Sequence, residues 1–498
     1  MRTSGVITVY LTLIFTIVTA LILTTAESAR IQSVRMLTET AVDSSMESFL
    51  AGYQRELLEN YDLFFFDGAF GGSGISRMGI EGRMEEYMDY TLHPNRELGL
   101  KFTDFYQVNP QNVSLGKIAL ATDDRGKVFR SQAIDYMRSS IGLDLIEALT
   151  EDYEWAMNNL NESNAFTSKE QETKSSLLSL EEEKGKADQE KSQEAEEAKN
   201  QKNPAAEVES IRSMGILELM YSDTSKVSQK SINTAELPSK RRLNHGDGLE
   251  QYEEGVTADI LFQCYLMKKF AHAASKDKVT EGNLQYQLEY LIIGKDHDVD
   301  NLKGVINRLL LIREGANFVY LLTDAGKVAE AYSAAALLVG YTCLPPLIEA
   351  TKYAILLAWA YAESVMDVRI LLAGEKVALY KNAGNWKTSL ANIGELVSKD
   401  AGSMGDNNGV DYEGYLRMLL LMANQEEITM RAMDLIEIQL QHTTENYNLK
   451  MDHMAAMIET TIEMNAEAFF LTLPILNGYS GIGSKRIKIT RKYGYNQW

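Results

Sequence analysis

Val6-Ile7-Thr8-Val9-Tyr10-Leu11-Thr12-Leu13-Ile14-Phe15-Thr16-Ile17-Val18-Thr19-Ala20-Leu21-Ile22-Leu23-Thr24-Thr25-Ala26 is a run of 21 residues without a charge. A bilayer core of about 30 Å needs about 20 apolar residues at about 1.5 Å rise each. The run is therefore expected to cross a membrane as one helix, with the rest of the chain carried behind it. A secretion signal has a shorter apolar core, about 7–15 residues, and a small-x-small cleavage site. This run is longer, and Thr24-Thr25-Ala26 meets the cleavage pattern poorly. An uncleaved anchor is the expectation.

Thr8, Thr12, Thr16 and Thr19 recur at spacings that place four hydroxyls on one narrow helical stripe. One reading lets each hydroxyl bond back to a preceding carbonyl. The other makes the stripe a packing face for a partner's membrane helix, since small and hydroxyl residues allow close approach. Arg2 precedes the run, and Glu27, Arg30 and Arg35 follow it, so the positive-inside count is balanced. A lead of only five residues favours an inside N-terminus. The expected protein is a single-pass component of the cell membrane with its bulk extracytoplasmic.

With 498 residues the chain has room for two or three domains. The expected organisation is a membrane anchor over 1–30, a membrane-proximal α+β region over 31–150, a charged low-complexity linker over 151–250, and a mainly helical domain with a C-terminal strand over 251–498. A net charge of −21 repels phosphate backbones and anionic lipid headgroups, which excludes nucleic acid as a partner. The two cysteines, Cys264 and Cys343, form no CxxC pair, and each sits in an apolar helical run. Both are expected buried and free. Only seven prolines favour long helices. The fold class is mainly α (α+β), with a small antiparallel sheet.

The helical pattern continues from Ser28 to about Asn60, and the aromatic strip Tyr61-Asp62-Leu63-Phe64-Phe65-Phe66-Asp67 is expected to plug this helix into the body. A short helix is expected over Glu81–Tyr90. Asp104 to Thr122 reads as a strand closed by the turn Asp123-Asp124-Arg125-Gly126, with a helix from Lys127 to about Ser140. Glu181 to Lys202 is polar throughout and reads as a solvated linker with transient helix from pairs such as Glu182 with Lys186. Helix is expected to dominate from Gly255 to Glu467, apart from Leu284–Leu291, which alternates as a strand does. Val328–Leu372 is the most apolar part of the body, yet Lys327, Glu330, Glu349, Lys352, Glu363, Asp367 and Arg369 interrupt it. It reads as a buried helical hairpin ended by Gly374, not as two further membrane crossings. Asn424 with Glu427 reads as a capping box opening a helix over Gln425–Leu449. The methionines from Met418 to Met464 read as core filler. Ser484–Tyr493 alternates basic with apolar, as a half-buried final strand does.

Motifs that carry chemistry are scarce. Gly478–Lys485 has the wrong residue order for a phosphate loop and no helix behind it. The histidines form no HExxH, and no third ligand accompanies His442 and Glu445. No GxSxG occurs. Glu363 and Asp367 share a helix face inside the apolar hairpin, where raised pKa values are expected unless Arg369 or backbone donors pair them. No catalytic residue, metal or cofactor is expected. The alternative is an extracytoplasmic enzyme or ligand-binding protein whose site is assembled from dispersed residues. A deep pocket with convergent polar groups distinguishes it.

Gly5-Val6-Ile7-Thr8-Val9-Tyr10-Leu11 followed by Ala26-Glu27-Ser28-Ala29-Arg30, then Leu58–Phe65, Leu288–Lys295, Ala358–Ser364, Leu371–Val377 and Tyr415–Leu420, together resemble an uncharacterised family. Its members are single-span membrane proteins of Gram-positive bacteria that carry a domain of unknown function. The resemblance implies association with the tight-adherence (Flp-type) pilus machinery and its TadE/TadG-like pseudopilins, and thus partners among pilus or secretion-system membrane proteins. It carries over no catalytic residue. Pseudopilins cut after Gly usually bear Glu at the fifth position beyond the cut; here that position is Tyr10. The resemblance therefore implies a fixed membrane component beside the pilus, not a polymerising subunit.

Overall fold

The computed structural model describes residues 3–93, 106, 108–141, 166–248, 252, 254–275, 282–398, 405–406, 409–443, 448–470 and 485–495. The chain divides into two compact units. The first joins Met1–Asp135, Arg242–Tyr252 and Leu440–Trp498; the second joins Tyr136–Arg241 and Glu253–Gln439. Both units are consistent with the mainly α (α+β) class.

The spine of the first unit is α1, Thr3–Leu50. It holds no proline and, beyond Gly5, no glycine until Gly52, so nothing breaks it before that point. At about 1.5 Å per residue it is about 72 Å long. Val34, Thr38, Ala41, Val42, Ser45, Met46 and Phe49 form one buried stripe along its second half. That stripe lies in a single core with the sheet and with α3, Arg77–Leu92, through Ile80, Met84 and Met88. Between them come α2, Arg55–Tyr61, and the short strand β1, Phe66–Asp67. The aromatic strip plugs the helix as expected. Leu63 and Phe65 are wholly buried, and the Phe66 ring meets Phe49 edge to face at 4.9 Å.

The sheet is antiparallel throughout and is organised on its third strand. β2, Val108–Leu120, pairs with β3, Met454–Ala466, from Val108↔Ala466 to Leu120↔Ala455. The other edge of β3 takes β1 at Phe66↔Ala455 and then β4, Lys485–Gly494, from Met457↔Gly494 to Ala466↔Lys485. β2 and β4 match the expected strands. β3 is a correction, because helix was expected to run to Glu467. Its Met, Ala and Glu residues are good helix formers, but Ile458, Thr460, Ile462, Met464 and Ala466 are buried while Glu459, Thr461, Glu463 and Asn465 are not. A two-residue period on a central strand overrides propensity. The cationic face of β4 meets Glu463, which Lys488 approaches at 3.6 Å.

After β2 the chain enters α4, Asp123–Ser140, through the left-handed residues Asp124, Arg125 and Gly126. This is the expected turn. The Asp123 carboxylate accepts from the N–H groups of Leu120, Gly246 and Gly248 at 2.8, 2.8 and 3.1 Å. The backbone of Asp247 and Ile118 also pair at 2.6 Å. Gly246 runs so close to the Ile118 carbonyl that a Cβ would not fit. These contacts hold residues 242–252 in the first unit.

The second unit is helical. It comprises a helix over 166–179 (α5), α6 Glu181–Glu190, α7 Ser192–Lys199, α8 Pro204–Arg212, α9 Ile216–Met220, α10 Val256–Lys269, α11 Gln287–Ile293, α12 Asp298–Thr323, α13 Ala325–Val339, α14 Pro345–Leu372, α15 Tyr412–Met422 and most of α16 Gln425–Thr443. The expected hairpin is α13 and α14, the latter buried along most of its length. Past its end Gly374 adopts φ +84°, the left-handed stop that glycine allows. Asn424 caps α16 through the N–H groups of Glu426 and Glu427. The Glu427 carboxylate instead meets Arg431 at 2.6 Å.

The acidic stretch read as a solvated linker with transient helix is helical as α6 and α7, and the Lys191 ammonium between them donates to the Tyr341 carbonyl at 2.7 Å. Two expectations are corrected here. Leu284–Leu291 is not a strand but leads into the short helix α11. Its polar alternates face protein: Gln287 accepts from the Ala271 N–H at 3.0 Å and Glu289 from that of Ala273 at 2.8 Å. The cysteines are not both buried. Cys264 is half-buried and Cys343 is exposed, because it sits in the turn between α13 and α14 at φ +55°.

Phe66→Ala removes a ring at the junction of α1, β1 and β3, and is expected to destabilise the first unit by about 3–5 kcal/mol. Hydrogen exchange of the β3 amides measures it. Protection unchanged from the parent protein would contradict this placement.

Candidate functional site

Within the apolar run, α1 is uncovered. Twelve large apolar side chains between Val6 and Ile22 are exposed, Phe15 and Val6 each by about 70%. At about 1.5–3 kcal/mol for each such side chain, leaving them in water costs on the order of 20 kcal/mol. That exceeds the whole stability of a typical domain, about 5–15 kcal/mol. Among the described residues, nothing in this chain covers that surface. Among the described residues, α1 is the one helix long and apolar enough to cross a membrane, with a mean hydropathy of 2.6 in its most apolar window. On the predicted stripe, Thr12 and Thr16 donate to the carbonyls of Val9 and Thr12 at 2.9 and 2.6 Å. Thr8, Thr12, Thr16 and Thr19 all lie within the uncovered half.

Burial begins abruptly at Glu27, the first charged residue after the run. Glu27 and Arg30 are 2% and 3% exposed and form an ion pair at 2.6 Å. Glu27 Oε2 accepts from the N–H groups of Phe469 and Phe470, at 3.2 and 2.8 Å. Arg30 Nη1 donates to the Tyr106 carbonyl at 2.6 Å, and Nη2 to that of Glu467. Burial alone would raise the Glu27 carboxyl. The Arg30 guanidinium and the two N–H groups outweigh it and hold the pKa below its ordinary value. Tyr106 and Glu467 stand just outside the paired ends of β2 and β3, so one ion pair bolts the helix to the sheet.

The second unit contains a buried network of charges. Arg313 on α12 meets Asp367 on α14 through Nε at 3.0 Å and Nη2 at 2.9 Å, and its Nη1 donates to the Tyr415 hydroxyl at 2.9 Å. Lys381 lies between the two acids, 2.6 Å from Glu363 and 2.7 Å from Asp367. Glu363 also accepts from the N–H of Lys387 and from the N–H and hydroxyl of Thr388. Asn317 donates to Asp367 and to the Ser364 hydroxyl. All four charges are sealed from solvent and cancel. The pairing expected for these acids is present, by backbone donors at Glu363 and by side chains at Asp367. Burial pushes the Asp367 carboxyl up, but Lys381 and Arg313 overcome that and hold it low. Arg369 is not the partner; its guanidinium bonds the Leu219 carbonyl instead. With their lone pairs committed, the two acids are a staple.

Glu289 is different. It is wholly buried, its Oε1 accepts from Tyr412 at 2.7 Å and from Ala273, and its Oε2 has no partner among the described residues. Burial pushes this carboxyl up to about 7, against the pull of those donors. Burial likewise pushes Glu314 up to about 7 and Asp434 to about 6. A groove of about 520 Å³ in the second unit runs between Leu177, Ala198, Leu338, Val339 and Leu347, with Lys184 and Asp188 at its rim. None of the three shifted acids is among its described lining residues. Among the described residues no three His, Cys, Asp or Glu side chains converge as a metal-binding group. His442 is exposed, while Glu445 and most of Gly478–Lys485 lie outside the described residues.

The model of a family of unknown function, DUF5702, matches residues 193–466. That is more than half of the chain, which therefore belongs to this family. The matched region begins after α1 and contains the buried network, the groove's α13–α14 wall and β3. No curated protein and no solved structure matches the chain.

Lys381→Met leaves two buried acids short of a counter-charge and is expected to destabilise the second unit by about 3–5 kcal/mol. Fluorescence of Trp359 and Trp386, which pack edge to face at 5.8 Å beside the network, reports the unfolding midpoint. Stability within about 0.5 kcal/mol of the parent would contradict the staple. Glu289 adds a pH dependence. Its folded pKa lies above the unfolded value of 4.5, so its contribution is full below about 4.5 and is lost as pH rises through about 7. The fall is about 3 kcal/mol. Glu289→Gln should flatten the decline in unfolding midpoint between pH 5 and 8; an unchanged slope would refute that origin.

Proposed function

We propose that this protein is a bitopic, non-enzymatic component of the cell envelope, with α1 as its membrane span and the body extracytoplasmic. The observation that carries this reading is the abrupt change along α1 at Glu27. Apolar surface before it is left uncovered, and every turn after it contributes to the core. A secretion signal, removed before its protein folds, has no need to continue as the spine of the folded body. The body acts in assembly, anchoring or presentation of a larger apparatus. The tight-adherence pilus or a related secretion system is the version suggested by the resemblance of the segments from Gly5 to Leu420, with Tyr10 favouring a fixed component.

In this reading the Thr8, Thr12, Thr16 and Thr19 stripe contacts a membrane partner. Its hydroxyls satisfy themselves on the helix backbone, as Thr12 and Thr16 do, which leaves their small, flat profile available for close approach. Replacing all four by leucine preserves the span and should abolish co-purification of the partner from detergent. Unchanged recovery would refute the role of the stripe. The enzyme reading has less support, since the groove gathers none of the acids whose pKa values are shifted.

A further inference from the structure

Three aromatic residues surround the point where α1 passes from uncovered to buried. Tyr106 and Phe469 are exposed by 37% and 38%, and the Phe470 ring meets Phe469 edge to face at 5.1 Å. Their positions along α1 are fixed by the ion pair. Glu27 holds the N–H groups of Phe469 and Phe470, and Arg30 holds the Tyr106 carbonyl. Glu27 follows the apolar run directly, so the backbones that carry these rings are held within one side chain's length of the first turn after the span, given about 1.5 Å rise per residue.

Charged residues at the end of a span ordinarily reach into water or headgroups. Here both are covered by protein and do not meet lipid. Among the described residues held at that level, Glu467 is exposed and charged, while Tyr106, Phe469 and Phe470 are aromatic, and such rings favour the boundary between hydrocarbon and headgroups. The body's charge of −21 gives no electrostatic attraction to an anionic surface, so a contact with the bilayer must be made by apolar and aromatic groups. Resting on the proposed membrane reading, we infer that Tyr106, Phe469 and Phe470 form a second membrane contact, a collar embedded in the bilayer interface. The collar ties the end of the sheet to the lipid surface and prevents the body from swinging about α1.

The test uses the full-length chain in proteoliposomes of palmitoyl-oleoyl phosphatidylcholine, with the photo-crosslinker benzoylphenylalanine placed singly at Phe469, Phe15 or Met78. Phe15 lies within the span. Met78 is 85% exposed and follows Arg77, which bonds the Leu115 carbonyl, about 20 Å along β2 from Val108 at about 3.3 Å per residue. Irradiation followed by mass spectrometry is expected to give lipid adducts at Phe15 and Phe469 and none at Met78. An adduct at Phe15 without one at Phe469 overturns the collar and leaves the span standing. No adduct at Phe15 overturns the membrane reading and the collar together. An adduct at Met78 equal to that at Phe469 also overturns the collar, because the contact would then be unspecific.

Discussion

One helix must satisfy two surroundings, and the rest of the first unit follows from how it does so. Up to Ala26 the side chains of α1 are apolar and uncovered. From Glu27 onward they are the inner stripe of a protein core. A helix satisfies its own backbone in either setting, so no loop is needed where the surroundings change. What the change needs is a polar junction that leaves no charge stranded. The Glu27–Arg30 pair supplies it, with backbone N–H groups on the acid and carbonyls on the base.

The second unit settles a related problem within its own core. α14 is buried along most of its length, yet it carries Glu363 and Asp367 fully buried. Their cost is offset by Lys381 and Arg313, one reaching in from the segment after α14 and the other from α12. A neutral cluster of this kind gains little net stability over a well-packed apolar one. Its effect is on specificity. Only the packing that brings α12, α14, α15 and the 379–388 segment together satisfies every donor and acceptor, so any other arrangement of these apolar helices strands a charge.

Much of this was legible in the sequence wherever a pattern met an uncovered surface on one side. The uncharged run, the strand before Asp123, the left-handed turn at Gly126, the hairpin ended by Gly374 and the basic C-terminal strand all follow from periodicity and turn chemistry. The failures share a cause. β3 begins with Met454 to Ile458 buried on both faces, which hides its period, and its composition favours helix. Leu284–Leu291 alternates, but two of its three polar members, Gln287 and Glu289, are buried and bonded to the backbone of residues 271–273. Alternation signals a strand only when the polar face is wet. The partners of Glu363 and Asp367 were equally hidden, because Arg313 and Lys381 lie 54 and 14 residues from Asp367 and no local rule links them. The exposed Cys343 shows the limit of reading burial from apolar neighbours, since a turn lifts it out.

The central strand comes late in the chain. β1 and β2 are complete by Leu120, yet the strand that pairs with both begins at Met454. At about 5–20 residues per second, synthesis of the intervening segment lasts on the order of tens of seconds. Throughout that interval the buried stripe of α1 and the inner faces of β1 and β2 have no sheet to join, while the second unit is being made between them. Biogenesis is therefore ordered by topology: the amino-terminal helix is made first, the inserted helical unit has its whole sequence next, and the sheet closes last, once β3 and β4 have been made.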